Sequence, residues 1–305
     1  YQLKNYNDQI INVDKLSYAG NLDNLKDIED NTNYNFYNLD ICEKDKIDKI
    51  MHQGIDYIVN FAAESHVDRS IADPSIFIKS NVEGTQNLLD LALKFGVKNF
   101  VQISTDEVYG SLGKEGKFVE SSPLNPSSPY SASKGAADLL VKSYFKTFDL
   151  PVNITRCTNN FGPYQHPEKL IPLFIIKTLK NEKLPLYGDG SNIRDWIYVK
   201  DHCRAVDLVM RRGRAGEIYN IGAGNEKSNL EITRNILSLL SSSELLIKQV
   251  EDRKGHDFRY AVDSSKITTE LGWEAEFNFE DAIRLTLNWY LDNKEWWQKL
   301  IIDRK

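Results

Sequence analysis

The chain is poor in cysteine and methionine, has no dense basic cluster, and contains no long apolar run. Cys42, Cys157 and Cys203 are its only three cysteines in 305 residues. Their wide spacing and odd number exclude a disulfide framework and lack the paired pattern of a zinc site. They are expected as reduced thiols in a cytoplasmic protein. Five histidines, His52, His66, His166, His202 and His256, have no metal-ligand spacing either, so no metal is expected. No apolar stretch reaches the roughly 18 residues of a membrane span, and the polar opening YQLKNYNDQ does not read as a signal peptide. A net charge of -6 without a Lys/Arg stripe argues against nucleic acid as a partner. Repeats, low-complexity tracts and flexible linkers are absent too.

What is present is an ordinary globular composition, 41% hydrophobic and 27% charged, on a chain long enough for one large α/β domain or two packed lobes. In the first half, short apolar runs alternate with helical patterns, as in βαβ units with a parallel sheet. Strands are expected at QIINVD (9–14), NYNFYNLD (33–40), DYIVNFAA (56–63), KNFVQIST (98–105) and PVNITRC (151–157). Helices are expected over 81–96 and 129–148, and NNFGP after the last strand reads as a loop. Ligands of such sheets bind beyond the carboxyl ends of the strands, where Asp14, Asp40, the Ala62 loop, Thr105 and Asn159 all fall. The expected fold is therefore a Rossmann-type, doubly wound parallel sheet. Residues 1–160 would form the dinucleotide-binding domain, with returning segments near 195–222, and residues 161–305 a smaller C-terminal lobe. A dinucleotide fold opens with a strand and a Gly-rich turn ahead of the ribose-binding acid. In this chain Asp14 comes early with no Gly preceding it. The chain thus reads as beginning inside the first helix, without that first strand and Gly-rich turn.

Tyr130 and Lys134, at i and i+4, share one helical face. A nearby ammonium favours phenolate and would pull the Tyr pKa down, making it a usable base. The spacing alone proves little, because Tyr290 and Lys294 repeat it inside the amphipathic stretch DAIRLTLNWYLDNKEWW. That second pair is expected on a helix surface. What sets Tyr130 apart is the preceding strand, which ends in Thr105 and two adjacent carboxylates, Asp106 and Glu107. On a continuing strand these two would point to opposite faces, so serving one substrate requires that the strand has turned. An acidic loop or a helix cap is the plainer alternative. Asp14 at a strand end can accept both ribose hydroxyls and would repel a 2'-phosphate, pointing to NAD and not NADP. Asp40 with Ile41 fits an adenine edge or, equally, a helix N-cap. Arg194 and Arg253 carry forks suited to a pyrophosphate, with Lys169, His256 and Asn159 as further donors, although each alone reads equally as an ion-pair partner.

At these residues the chain resembles the extended short-chain dehydrogenase/reductase superfamily and, within its NAD-dependent epimerase/dehydratase branch, the dTDP-glucose 4,6-dehydratase family. The resemblance runs through VDKLSYAGN, LDI, NFAAESHVDRS, STDEVYG, PYSASK, NNFGPYQHPEKLIP, LYGDGSNIRDWIYV, YNIGAGNEKSN and EDRKGHD. The Asp-Glu dipeptide after Thr105 is what distinguishes it from the related 4-epimerases. The resemblance implies that Tyr130, with Lys134 and Thr105, deprotonates the glucose 4-OH as C4 is oxidised by NAD. Glu107 then removes the C5 proton while protonated Asp106 assists departure of the 6-OH, and hydride returns to C6. It also implies NAD contacts from Asp14, Lys15, Leu16, Ser17, Asp40, Ile41, Ala62, Ala63, Glu64, Ser80, Tyr130, Lys134 and Asn160. The sugar nucleotide, expected to be dTDP-glucose, would meet His66, Thr105, Asn159, Lys169, Leu170, Pro185, Leu186, Tyr187, Arg194, Asn229, Asp252, Arg253 and His256. Family members usually form homodimers, and a role in making rhamnose or another deoxysugar is implied. A 4-epimerase, a dehydratase reading another base, and a non-catalytic NAD or nucleotide-sugar sensor are the alternatives.

Overall fold

The computed structural model describes residues 1–302. Its strands are β1 (Ile10–Asp14), β2 (Tyr34–Asn38), β3 (Tyr57–Asn60), β4 (Asn99–Thr105), β5 (Val152–Cys157), β6 (Asn159–Phe161), β7 (Leu184–Tyr187), β8 (Ile193–Tyr198), β9 (Ile218–Ile221), β10 (Glu226–Ser228) and β11 (Ile247–Val250). Four of them form a parallel sheet in the order β3-β4-β5-β9, and β1 pairs with β2 in a separate parallel ribbon. All seven residues of β4 are buried, as a strand covered on both faces must be. On one face lie Leu88, Leu89, Val141 and Tyr144 from two helices, packed on Phe100, Val152 and Ile154. On the other lie Ala205, Val206, Val209 and Met210 from the helix Val199–Arg212, packed on Val101, Ile103 and Tyr219. Each fully buried aliphatic side chain contributes roughly 1.5–3 kcal/mol. The sheet is therefore doubly wound, as expected from the alternating pattern.

The strands predicted from sequence form at the predicted places. Their tails are shorter: 39–40 and 61–63 lie outside β2 and β3. NNF, read as a loop, is the strand β6, which pairs in parallel with β8. Ahead of β1 the described residues form one short helix, Gln2–Asn5, and no Gly-rich turn.

Residues after 160 do not all belong to one lobe. β9 hydrogen-bonds to β5 in the central sheet, and the helix Val199–Arg212 covers that sheet. The remaining segments build a second core from Phe161, Ile171, Phe174, Leu184, Trp196, Ile232, Phe279, Tyr290 and Trp296. The structure corrects the placing of Tyr290 on a helix surface. Tyr290 is fully buried and its hydroxyl donates to the Gln165 carbonyl. Its helix ends at Asp292, and Lys294 begins the next one, so the two residues do not share a helical face. Ring packing with Trp289 and Trp296 outweighs the solvent-facing pattern.

Candidate active site

The helix Pro129–Phe148 forms where the sequence places it because both ends are built locally. Ser128 accepts from the Ser131 N–H in a reciprocal capping box, Pro129 occupies the first turn, and Asp149 closes the other end at φ +56°. This fixes Tyr130 one residue inside the helix and Lys134 one turn on, both buried. At the carboxyl end of β4 the chain turns at once into a single 3-10 turn, Asp106–Tyr109. Thr105 caps it, its hydroxyl accepting from the Glu107 N–H at 3.2 Å and donating to Asp106 Oδ1 at 3.3 Å. Gly110 ends the turn at φ +85°, where a Cβ would lie 2.3 Å from the Asn125 carbonyl oxygen. Any other residue would be strained and blocked there. The condition set by the sequence is met: strand geometry no longer separates Asp106 from Glu107.

Electrostatics divides the two carboxyls. Burial pushes the Asp106 pKa well above the carboxylate range, and the Glu107 charge adds to the rise. Glu107 is also raised by burial, but Arg194, Arg253 and Lys169 pull it back. Paired carboxyls pushed apart in this way are the usual signature of one acid and one base. Tyr130 departs from expectation. Burial, followed by the charges of Glu107 and Cys157, raises its phenol well above the ordinary value, and only a hydrogen bond with Thr105 draws it down. Lys134 donates to the Ile103 carbonyl at 2.6 Å, and its own pKa is lowered by burial, with Asp138 opposing.

Beyond the carboxyl ends of β1 and β3 runs a crevice. Asp14, Lys15, Ser17, Asp40, Ile41, Ala62, Ala63 and Ser80 all line one cavity of about 410 Å³ that reaches down between the two strands. Asp14 holds one oxygen on the Leu16 N–H at 2.7 Å, which bends Leu16 to φ +52°. The Lys15 ammonium donates to Ser80 Oγ at 3.1 Å and lies 3.4 Å from Glu64 and 3.9 Å from Asp40. Asp40 Oδ1 accepts from the Cys42 N–H, so it closes a turn, while Glu43 takes the helix N-cap position. An exposed acid at a strand end, apolar walls and a lysine already held by two carboxylates suit a ribose diol and give no welcome to a 2'-phosphate. The residues present thus fit the adenosine half of NAD, and those around Tyr130 fit its reactive end. Glu64 is buried with Oε2 unpartnered; Asn160 turns its amide N–H to the Thr158 carbonyl at 3.1 Å.

The residues expected on the substrate side gather from several elements. Lys169 precedes the helix Leu170–Leu179, and burial lowers its pKa. His66 Nε2 is 3.7 Å from Glu168, and its pKa is lowered chiefly by burial. Asp252 accepts from His256 Nδ1 at 2.6 Å and from the Arg253 N–H at 2.8 Å. Tyr187 stacks edge-on with His256, and Arg253 Nε lies 3.9 Å from Asp68. Two leucines of the set turn to the second core. The Leu186 side chain is in the second core, and Leu170 packs against that core. Pro185 lies in β7, Asn159 in β6 and buried Asn229 at the start of the helix Asn229–Leu239. Arg194 gives three N–H contacts to the carbonyls of Ile193, Asp257 and Phe258 and stacks on Tyr260, which leaves few donors for a phosphate.

The family model described as GDP-mannose 4,6 dehydratase matches residues 2–286. The dTDP-glucose 4,6-dehydratase of Streptomyces niveus is 49% identical, covering 96% of this chain and 86% of its own. This chain belongs to the nucleotide-sugar 4,6-dehydratase family. A second relative of the dehydratase, the low-salt glycan biosynthesis protein Agl12 of Haloferax volcanii, is 54% identical over 97% of this chain and 94% of its own. Among solved structures, the dTDP-glucose 4,6-dehydratase of Streptomyces venezuelae with NAD bound superposes at TM-score 0.94. It is 49% identical, and the match covers 96% of this chain and 90% of that one.

Three features of the dehydratase site do not stand out in its sequence. Glu168, inside the motif PEKLIP, joins Tyr18 and His66. Asp138 and Arg156 form a buried pair at 2.9 Å beneath Lys134. Asn81 bonds both the Glu64 backbone and Ser133. Asp138 carries a readable signal, being a carboxylate one turn beyond Lys134; the other two depend on contacts between distant segments.

Proposed function

We propose that the protein dehydrates dTDP-glucose to dTDP-4-keto-6-deoxyglucose using NAD. The observation that carries this reading is the 3-10 turn that delivers Asp106, whose proton affinity burial raises, and a cation-faced Glu107 together at the end of β4. NAD, when bound, would supply the redox chemistry, holding the hydride released at C4 until it is needed at C6. Tyr130 accepts the 4-OH proton as its phenolate, a form that the positive charge of bound NAD would favour against the burial that raises its pKa, with the Thr105 hydroxyl bonded to the same phenol. The 4-ketone acidifies C5. Glu107 takes the C5 proton and Asp106 gives its proton to the departing 6-OH, so one water leaves; Glu107 then returns a proton to C5 as hydride reaches C6, and the proton that Tyr130 took from the 4-OH makes good the one Asp106 lost with the water. Lys169, Arg253 and His256 face the nucleotide diphosphate. The first-half sheet would carry the cofactor and the second core the nucleotide sugar.

Incubation with dTDP-glucose and NAD tests this: the expected product is the 4-keto-6-deoxy sugar nucleotide with solvent deuterium at C5. Formation of dTDP-galactose alone would overturn it in favour of an epimerase. We place the reaction in the cytoplasm, in deoxysugar synthesis such as the route to rhamnose; among the described residues no helix is long and apolar enough to cross a membrane. A homodimer would form through the helix Pro129–Phe148, whose Leu139 is 59% exposed, together with Ile78 at 54% on the neighbouring helix.

A further inference from the structure

Lys134 is 4% exposed, and its ammonium donates to the Ile103 carbonyl, a group without charge. A buried ammonium that lacks a nearby anion tends to give up its proton, and a neutral lysine could do nothing for a phenolate at Tyr130. The acidic groups around it differ in their fitness to be that anion. On β5 the Cys157 thiol is pushed up to about 12 by burial and so carries no charge. The Tyr130 phenol, on the same helix, and Asp106, beyond β4, are both raised well above their ordinary values, chiefly by burial. Glu107 is drawn to Arg194, Arg253 and Lys169. Across the helix, Lys79 and Glu83 of the segment Ile78–Glu83 are exposed, Asp90 is bonded to Lys44 and Tyr144, and Asp68 faces Arg253. Asp138 remains, fully buried one helical turn beyond Lys134 on the same face.

Asp138 has the same difficulty as the lysine it serves. Burial raises its pKa, and Arg156 opposes this most strongly, followed by Ser104 and Lys134. Arg156 Nε donates to Asp138 Oδ2 at 2.9 Å, and its guanidinium lies 4.7 Å from the centre of the Tyr109 ring. Tyr109 ends the 3-10 turn that bears Asp106 and Glu107, and its hydroxyl donates to Asn220 of β9 at 2.7 Å. The guanidinium is thus fixed on both sides. Stability alone is a poor reason for such a pair, because two ions give up their hydration and apolar residues of similar volume are often at least as stable in their place. We propose that Asp138 and Arg156 are positioning residues for charge: Arg156 keeps Asp138 ionised, and Asp138 keeps Lys134 protonated beside Tyr130.

The kinetic arm of the test rests on the dTDP-glucose dehydratase reading, and the titration arm does not. Oxidation at C4 needs Lys134 protonated, so its rate falls as pH rises through the Lys134 pKa. In Asp138→Asn the lysine loses its anion, and the alkaline limb of single-turnover C4 oxidation is expected to move down by about one pH unit or more. Arg156→Gln should move it the same way by about half a unit or more, because Asp138 then takes up a proton more readily. The Lys134 ammonium is followed directly by NMR of 13C,15N-lysine protein, its resonance being the one missing from Lys134→Arg. It should titrate at lower pH in both variants. A Lys134 titration and an alkaline limb at the wild-type pH in both overturn the proposal, however far the rate has fallen, since damaged packing slows a step without moving a proton affinity. Should the single variants fail to fold, the double variant Asp138→Asn/Arg156→Gln, which leaves neither member of the pair buried without its partner, decides by the same two readouts. If the wild-type protein does not turn over dTDP-glucose, the functional reading fails and the lysine titration still decides.

Discussion

Two tyrosines in this protein are each followed four residues later by a lysine, and both are buried, yet their surroundings share nothing else. The Tyr290 hydroxyl is bonded to a backbone carbonyl, and burial alone raises its pKa. The Tyr130 phenol sits among Glu107, Cys157, Asp106 and Thr105, each of which moves its proton affinity. Lys134 lies on the same helix as its tyrosine, whereas a helix break separates Lys294 from Tyr290. A buried tyrosine becomes chemistry when its oxygen is left to titratable neighbours and becomes structure when a carbonyl occupies it. Sequence spacing reports neither condition.

The contrast is tested most severely by removing each hydroxyl. Tyr130→Phe is expected to lower turnover of dTDP-glucose by about 1000-fold or more, with single-turnover absorbance showing that C4 oxidation itself is slowed. Tyr290→Phe should leave kcat within about two-fold. A comparable loss in both would erase the distinction. A second, smaller effect concerns the carboxyls. Asp106→Asn is expected to slow elimination by about 100-fold while the first oxidation is less affected. It should also raise the melting temperature at pH 7–8. The sign follows from the raised pKa: the folded state binds the Asp106 proton more tightly than the unfolded state does, so that residue's contribution is lost as pH rises through the folded value. The stabilisation by Asn should therefore fade at a pH below the ordinary aspartate pKa; a melting curve unchanged at pH 8 would show that Asp106 is not held protonated. The smallest effect is structural: Tyr290→Phe leaves the Gln165 carbonyl without that donor and should cost about 1–3 kcal/mol in denaturant unfolding.

Much of this architecture is legible in the amino-acid sequence. The strands ending in Asp14 and Thr105 are apolar runs with a polar stop, and Ser128 with Pro129 announces the catalytic helix to the residue. Asp106 and Glu107 are legible as a pair because the dipeptide cannot act together on a straight strand. The π turn over Ile78–Glu83 is not legible, since IFIKSNVEGTQNLL has an ordinary helical pattern and the contact its Asn81 makes with the Glu64 backbone joins distant segments. Arg194 is half legible: its fork reads as a phosphate donor or an ion-pair partner, and its bonds to three carbonyls of its own chain come from segments the sequence does not bring together. The expected lowering of the Tyr130 pKa fails because spacing reveals a neighbouring cation and says nothing of burial.

The position of β9 has a consequence for synthesis. β5 gains its outer neighbour only from Ile218–Ile221, and Gln2 and Tyr6 bond to Asp207, more than 200 residues downstream. A ribosome that has released the whole catalytic helix still holds the strand that closes the catalytic sheet. The first 160 residues must therefore wait, with an open sheet edge, for a segment made much later. That interval is when this protein is most exposed to mispairing with other chains, so its dependence on chaperones should be set by the time between residues 157 and 221 rather than by its final stability.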